Sequence, residues 1–201
     1  MQADRDGKND TLARFAGPGV YPVEYAHWLL NPARRLFFPP SRLARLLQLK
    51  PTDQVLEVGC GPGYFSPAVA RAVPQGKLTL YDLQPGMLAL AEARLRKRGC
   101  TNFESRTGSA TSLPFEDRSF DVVFMVTVLG EVGDVDARAR AVAEAARVLK
   151  TGGLFSATEM FGDPDYVRAA QLEDFAAAAG LVRERRYGPR FFYTLNFRKP
   201  R

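Results

Sequence analysis

Gln54-Val55-Leu56-Glu57-Val58-Gly59-Cys60-Gly61-Pro62-Gly63-Tyr64-Phe65 decides how this chain folds. Val55-Leu56-x-Val58 is a short apolar run bounded by Lys50-Pro51-Thr52-Asp53 and by three glycines, the pattern of a strand buried on both faces. Gly59, Gly61 and Gly63 alternate through the turn, so the backbone can take angles closed to other residues and a ligand can approach without meeting a Cβ. A helix is expected from Tyr64 to Ala72. Strand, glycine turn and helix in that order make the ligand-binding corner of a doubly wound sheet, where ligands sit beyond the carboxyl ends of the strands.

Working outward, the Pro74-Gln75-Gly76 turn leads into Lys77-Leu78-Thr79-Leu80-Tyr81-Asp82, a second apolar strand with an acid at its carboxyl end. A carboxylate there can accept hydrogen bonds from both hydroxyls of a ribose. The glycines are spaced G-x-G-x-G with Glu57 two residues upstream, whereas the dinucleotide fingerprint is G-x-G-x-x-G. A glycine triplet alone would fit an ordinary loop equally well. Glu57-x-Gly59-x-Gly61-x-Gly63 together with Asp82 resembles the first two motifs of the class I S-adenosylmethionine-dependent methyltransferases, in particular the small-molecule group related to ubiquinone and menaquinone methylases. Asp117-Arg118-Ser119-Phe120-Asp121 before an apolar strand, and Ala146-Arg147-Val148-Leu149-Lys150-x-Gly152-Gly153, extend the resemblance over roughly residues 40 to 200.

That resemblance implies S-adenosylmethionine as cofactor, held by Glu57, Gly59, Gly61 and Gly63, by the backbone of Cys60, and by Asp82 at the ribose. It places Leu83 and Met87 beside the adenine, although Met87 suits the core as well. Ser109, Ala110 and Val126 complete the implied cofactor set. Family members commonly carry an aspartate at the position of Ser109, whose side chain accepts from the adenine amino group; a serine hydroxyl is shorter and uncharged. Relatives often carry histidines near Thr127-Val128-Leu129-Gly130-Glu131, and none is present here. Glu131 is then a candidate base, or a plain loop acid.

The fold expected is α/β: a doubly wound, mostly parallel seven-stranded sheet with helices on both faces and the last strand antiparallel. Further strands are read near 102–107, 119–126, 154–159, 181–187 and 191–198, and helices after Ser41 as cap, from Pro85, over 135–149 and over 166–179. Residues 1–39 read as an amino-terminal tail and possible lid, and 40–201 as one methyltransferase domain. The segment Gly17 to Pro32 gathers two tyrosines, the sole histidine and the sole tryptophan. As a lid it would set Tyr21, Tyr25 or His27 over the cofactor, making Tyr21 and His27 candidate catalytic groups. As a docked helix it would be anchored by Trp28, Leu29 and Leu30 with His27 exposed.

The formal charge of +6 raises nucleic acid as a partner, but no recognition module accompanies it, and the arginines at 94, 96, 98, 138, 140 and 147 read as solvated helix faces. Arg34-Arg35-Leu36-Phe37-Phe38 would suit a peripheral membrane contact or core packing. A polar amino end without a secretion signal, and two cysteines without metal-ligand spacing, give cytoplasmic location, reduced thiols and no metal as expectations. The acceptor is read as a small molecule or lipid precursor, methylated by direct in-line transfer. The rivals are a non-catalytic cofactor-binding regulator or partner subunit and a nicotinamide oxidoreductase.

Overall fold

Alternation along the strands sets the architecture, because successive residues face opposite sides and both sides are apolar. The computed structural model describes residues 21–31, 36, 38–160 and 166–201. β1 (Gln54–Val58), β2 (Lys77–Asp82), β3 (Phe103–Thr107), β4 (Phe120–Val126), β5 (Leu149–Met160), β6 (Val182–Tyr187) and β7 (Phe192–Arg198) form one sheet of order β3-β2-β1-β4-β5-β7-β6. β1 to β5 pair in parallel, and β7 runs antiparallel to both β5 and β6, as expected for a terminal hairpin.

Six α-helices flank the sheet among the described residues: α1 (Ala26–Leu29), α2 (Pro40–Leu46), α3 (Ser66–Ala72), α4 (Pro85–Lys97), α5 (Val135–Val148) and α6 (Ala169–Ala178). Leu56, Val58, Val123 and Phe155 meet Ala141, Val142 and Ala145 of α5 and Leu172 of α6 on one face. Val55, Leu80, Phe124 and Leu154 meet Leu43 and Leu47 near α2, Val69 of α3 and Leu95 of α4 on the other. Each buried Val, Leu or Phe among them contributes about 1.5–3 kcal/mol, so the two-sided sheet supplies the main drive to fold.

Several boundaries differ from the sequence reading. The cap of α2 is Pro39, not Ser41, since Pro40 at the first helical position already presets the backbone. α3 starts at Ser66, two residues late, because Tyr64 and Phe65 turn inward and are buried. β5 begins at Leu149 directly after α5; Leu149 pairs with Phe120, and the register then shifts before Leu154 joins Val122. Gly152, at a φ of 76°, lies within that irregularity rather than ending a helix. Trp28 is 60% exposed, so it does not anchor the amino-terminal segment, whereas Leu29 and Leu30 are half-buried.

Several of the arginines read as solvated have partners or border the cavity; Arg96, for one, pairs with Glu92 at 2.7 Å. Arg147 bonds Glu144, Asp117 and the carbonyls of Leu113 and Phe115, Arg138 bonds the carbonyls of Gly130 and Val132, and Arg140 faces the cavity described below. β6 is an exposed edge strand, and its charges and register shift between Arg183 and Arg185 oppose pairing with another sheet. Two of its residues are paired: Arg183 with Glu173 at 2.8 Å and Glu184 with Arg198 at 3.2 Å. Arg34, Arg35, Phe37 and the tail 1–20 lie outside the described residues. No described helix is long and apolar enough to cross a membrane.

Candidate active site

At the carboxyl ends of β1, β2 and β4 a cavity of about 460 Å³ opens, lined by the glycine turn, the loop after β2, the segment Gly108–Thr111 and the residues following β4. Gly59, Gly61 and Gly63 take φ of 69°, 51° and 74°, left-handed values that L side chains rarely adopt. A Cβ at Gly59 would run into the Val128 side chain, so β4's end closes on the turn. A Cβ at Gly61 would find only Leu29 Cδ1, at 3.8 Å, so that backbone borders open space. Gly63 serves packing: a Cβ there would lie 2.8 Å from Ala91 Cα of α4, and Gly63 is not among the lining residues.

The amides of this turn are spent internally. Gly59 N and Cys60 N donate to Tyr81 O at 2.7 and 3.2 Å, Gly61 N donates to Asp82 Oδ2 at 2.8 Å, and Gly63 N donates to Cys60 O at 3.1 Å. Pro62 has no N–H. A phosphate-binding turn must present such amides outward, so this one offers no nest for a pyrophosphate.

Asp82 ties two loops together, since its other oxygen accepts from Gln84 N at 2.9 Å at the start of α4. Burial raises its pKa, opposed by the amides of Gln84, Gly61 and Leu83. A carboxylate has lone pairs beyond these bonds, so Asp82 retains acceptor capacity toward the cavity. Glu57 lies on the same side of β1 as α3 and accepts from Ser66 Oγ at 2.6 Å. Burial, with a lesser push from Asp82, lifts its carboxyl to about 8 despite the Ser66 bond. Burial pushes the Cys60 thiol well up, and Glu57 and Asp82 add to it, so this thiol stays protonated. Asp82 and a half-buried Glu131 against one lining cation, Arg140, with Glu57 able to give up its proton beside an arriving cation, suit a cationic ligand.

The amino-terminal segment is seated beside this opening. Gln84 Nε2 donates to Tyr21 O at 2.7 Å, and Val23 methyls lie 3.1 and 3.3 Å from where a Gly86 Cβ would be. Tyr21 and Leu29 line the cavity, while His27 is exposed, stands 5.6 Å from the Trp28 ring and does not line it.

Residues 55–153 match a family model described as a methyltransferase domain. The chain is 39% identical over 108 residues to a ubiquinone/menaquinone biosynthesis C-methyltransferase UbiE of Xanthomonas oryzae pv. oryzae, spanning 53% of this chain and 42% of that relative. It is 34% identical over 110 residues to a demethylmenaquinone methyltransferase of Bacillus cytotoxicus, spanning 54% and 45%. Residues 55–153 thus carry the methyltransferase-domain family's pattern. The chain aligns with less than half the length of these curated relatives.

Its fold superposes on a SAM-dependent methyltransferase from Aquifex aeolicus with TM-score 0.81 at 20% identity, covering 90% of this chain and all of that one. The N-methyltransferase NodS of Bradyrhizobium japonicum, solved with S-adenosyl-L-homocysteine, superposes at 0.73 and 20% identity, covering 98% and 100%. The [4+2]-cyclase SpnF superposes at 0.69 and 22% identity over 80% of each chain, so this architecture hosts other chemistry too.

The expected residues Glu57, Gly59, Cys60, Gly61, Asp82 and Leu83 all border one cavity, as do Met87, Ser109, Ala110, Val126, Tyr21 and Glu131. Met87 is both core and wall, only 2% exposed. The sequence reading missed Tyr64 and Phe65, which follow the glycine turn directly, and Arg140, which lies on a helix face taken for a solvated one. It also missed Thr127, a β-branched residue held at a φ of 52° with its hydroxyl on Val126 O at 2.8 Å. Nothing in the local sequence signals that conformation, and such departures concentrate at functional sites.

Proposed function

We propose that this methyltransferase domain binds S-adenosylmethionine in the cavity over β1, β2 and β4 and passes its methyl directly to a small-molecule or lipid-like acceptor. The observation that carries the reading is that the amides of Gly59, Cys60, Gly61 and Gly63 are bonded within the protein, beside two buried acids. They disfavour the pyrophosphate of a nicotinamide cofactor and suit a ligand joining a ribose to a positive sulfonium and ammonium.

When bound, S-adenosylmethionine supplies an electrophilic methyl group, so the protein must chiefly align a nucleophile and exclude water. Asp82 would accept from the ribose hydroxyls, and the carboxyls of Glu57 and Asp82 would complement the ligand's charge. Leu83 and Met87 would flank the base. Tyr21 and Leu29 would cover the opening, and the buried Tyr64 and Phe65 would wall it, setting its apolar character, the support for a small or lipid-like acceptor. Glu131 and Tyr21 stand where they could take a proton from the acceptor, and His27 does not.

The test uses methyl-labelled S-adenosylmethionine with purified protein and fractionated cell extract. Label entering the organic-soluble or low-molecular-weight fraction supports the reading; label confined to nucleic acid or protein overturns the acceptor class, and no transfer from any fraction favours the non-catalytic rival. Asp82→Ala should weaken S-adenosylhomocysteine binding at least ~10-fold by calorimetry, since a charge-assisted pair of bonds is lost. Unchanged affinity would refute the ribose contact.

A further inference from the structure

Along the carboxyl edge the cavity crosses consecutive strands: the glycine turn after β1, Asp82 ending β2, and Gly108–Thr111 beyond β3. Asp82 pairs with Thr107 in register, and Gly108 N donates to Asp82 O at 3.0 Å. A ribose carries its base on C1′ and its 5′ arm on C4′, at the two ends of the ring flanking the ring oxygen. With the sulfur-bearing arm along the β1 turn, a ribose held at Asp82 therefore sends its base toward Gly108–Thr111.

That segment is fixed from below. The Tyr81 hydroxyl bonds the carbonyls of Ser109 and Ser112 at 3.2 and 3.3 Å, and it fills the place that a Cβ at Gly108 would need. No residue from Gly108 through Phe115 is acidic. Its polar side chains that border the cavity are Ser109 and Thr111, whose hydroxyl oxygens lie 2.8 Å apart, with Thr111 N donating to Ser109 Oγ at 3.3 Å. If Ser109 donates within the pair, the Thr111 proton is free; if Thr111 donates, the Ser109 proton is free. In both arrangements the pair keeps one hydrogen to give and a lone pair to accept with.

We propose that the Ser109–Thr111 hydroxyl pair reads the polar edge of the purine as donor or acceptor alike, so that this site takes a 6-oxopurine nucleoside ligand nearly as well as a 6-aminopurine one. The inference rests on the S-adenosylmethionine reading above. A carboxylate in that place could only accept and would repel a ring carbonyl; a hydroxyl pair rotates to suit either. Arg140, the cation lining the same cavity, is a donor and does not oppose a carbonyl.

Calorimetric titration of the full chain with S-adenosylhomocysteine and with S-inosylhomocysteine tests this without any acceptor. The two affinities should agree within about 10-fold in the wild type. Ser109→Asp should separate them by about 10- to 100-fold in favour of the adenosyl ligand, the usual worth of a charge-assisted bond. The double variant Ser109→Ala, Thr111→Val should weaken both without separating them. A wild type that prefers the adenosyl ligand by more than about 100-fold, or a double variant that leaves both affinities unchanged, overturns the proposal alone. Failure of both ligands to bind overturns the cofactor reading, and this one with it.

Discussion

Glu57 holds its proton through neutrality because burial and the neighbouring Asp82 outweigh the Ser66 hydroxyl, leaving its carboxyl at about 8 against an ordinary 4.5. The unfolded chain loses that proton near 4.5, so between 4.5 and 8 the folded state holds more protons, and stability falls as pH rises until it levels above 8. Glu57→Gln removes this dependence. The variant's melting temperature should exceed the wild type's by several degrees at pH 8.5, with the two closer at pH 5; on the order of 2–4 kcal/mol is at stake, at about 2–4 °C for each. Parallel melting curves across that range would show that Glu57 is ionised in the folded protein. The same substitution should weaken S-adenosylmethionine, because a cation arriving beside Glu57 would otherwise drive off the proton and gain the charge. The type and position of Glu57 and Asp82 were legible in the sequence, since a strand end and a glycine turn fix where such acids lie. Their protonation was not, because it depends on burial by α3 and on a hydroxyl nine residues away.

At the scale of elements, local pattern predicted what local chemistry decides and missed what distant segments do. All seven strands were read from the sequence, β1, β2, β4 and β5 as short apolar runs, although β3 and β6 are largely polar, whereas the carboxyl end of α5 depends on a distant partner. Asp134 accepts from Ala137 N at 2.8 Å at its start, an ordinary cap. At its end Lys199, from beyond β7, donates to the carbonyls of Ala146 and Leu149 at 2.7 and 2.8 Å, groups that a helix leaves open. No sequence window reaches across that separation. Lys199→Met keeps the aliphatic stem and removes the donors, so it should destabilise the fold by about 1–3 kcal/mol in urea denaturation. A midpoint equal to the wild type's would mean that water satisfies those carbonyls. Arg147 acts in the same way on the segment 113–117, bonding Leu113 O and Phe115 O at 2.8 and 2.9 Å from its place on α5. Its place in a helix suggested only a solvated cation.

For the molecule as a whole, the cavity lies where strands of both halves of the sheet end, with β1 and β2 on one side and β4 on the other. It also meets α4 through Met87, α5 through Arg140 and the amino-terminal segment through Tyr21 and Leu29. A ligand seated there bridges units that the sequence separates widely, and it can do so only when the whole sheet is folded. Binding to the folded state alone stabilises by mass action, about 2.7 kcal/mol at a concentration 100 times the dissociation constant. For a chain of this size that raises the melting temperature by roughly 5–10 °C. S-adenosylhomocysteine should produce this rise in a single cooperative transition, and NAD at equal concentration should leave the melt unchanged, because the turn amides that a pyrophosphate requires are already bonded within the protein. A rise with NAD and none with S-adenosylhomocysteine would reverse the assignment of the ligand. A rise confined to part of the transition would instead mean that the amino-terminal segment closes on the ligand independently of the sheet.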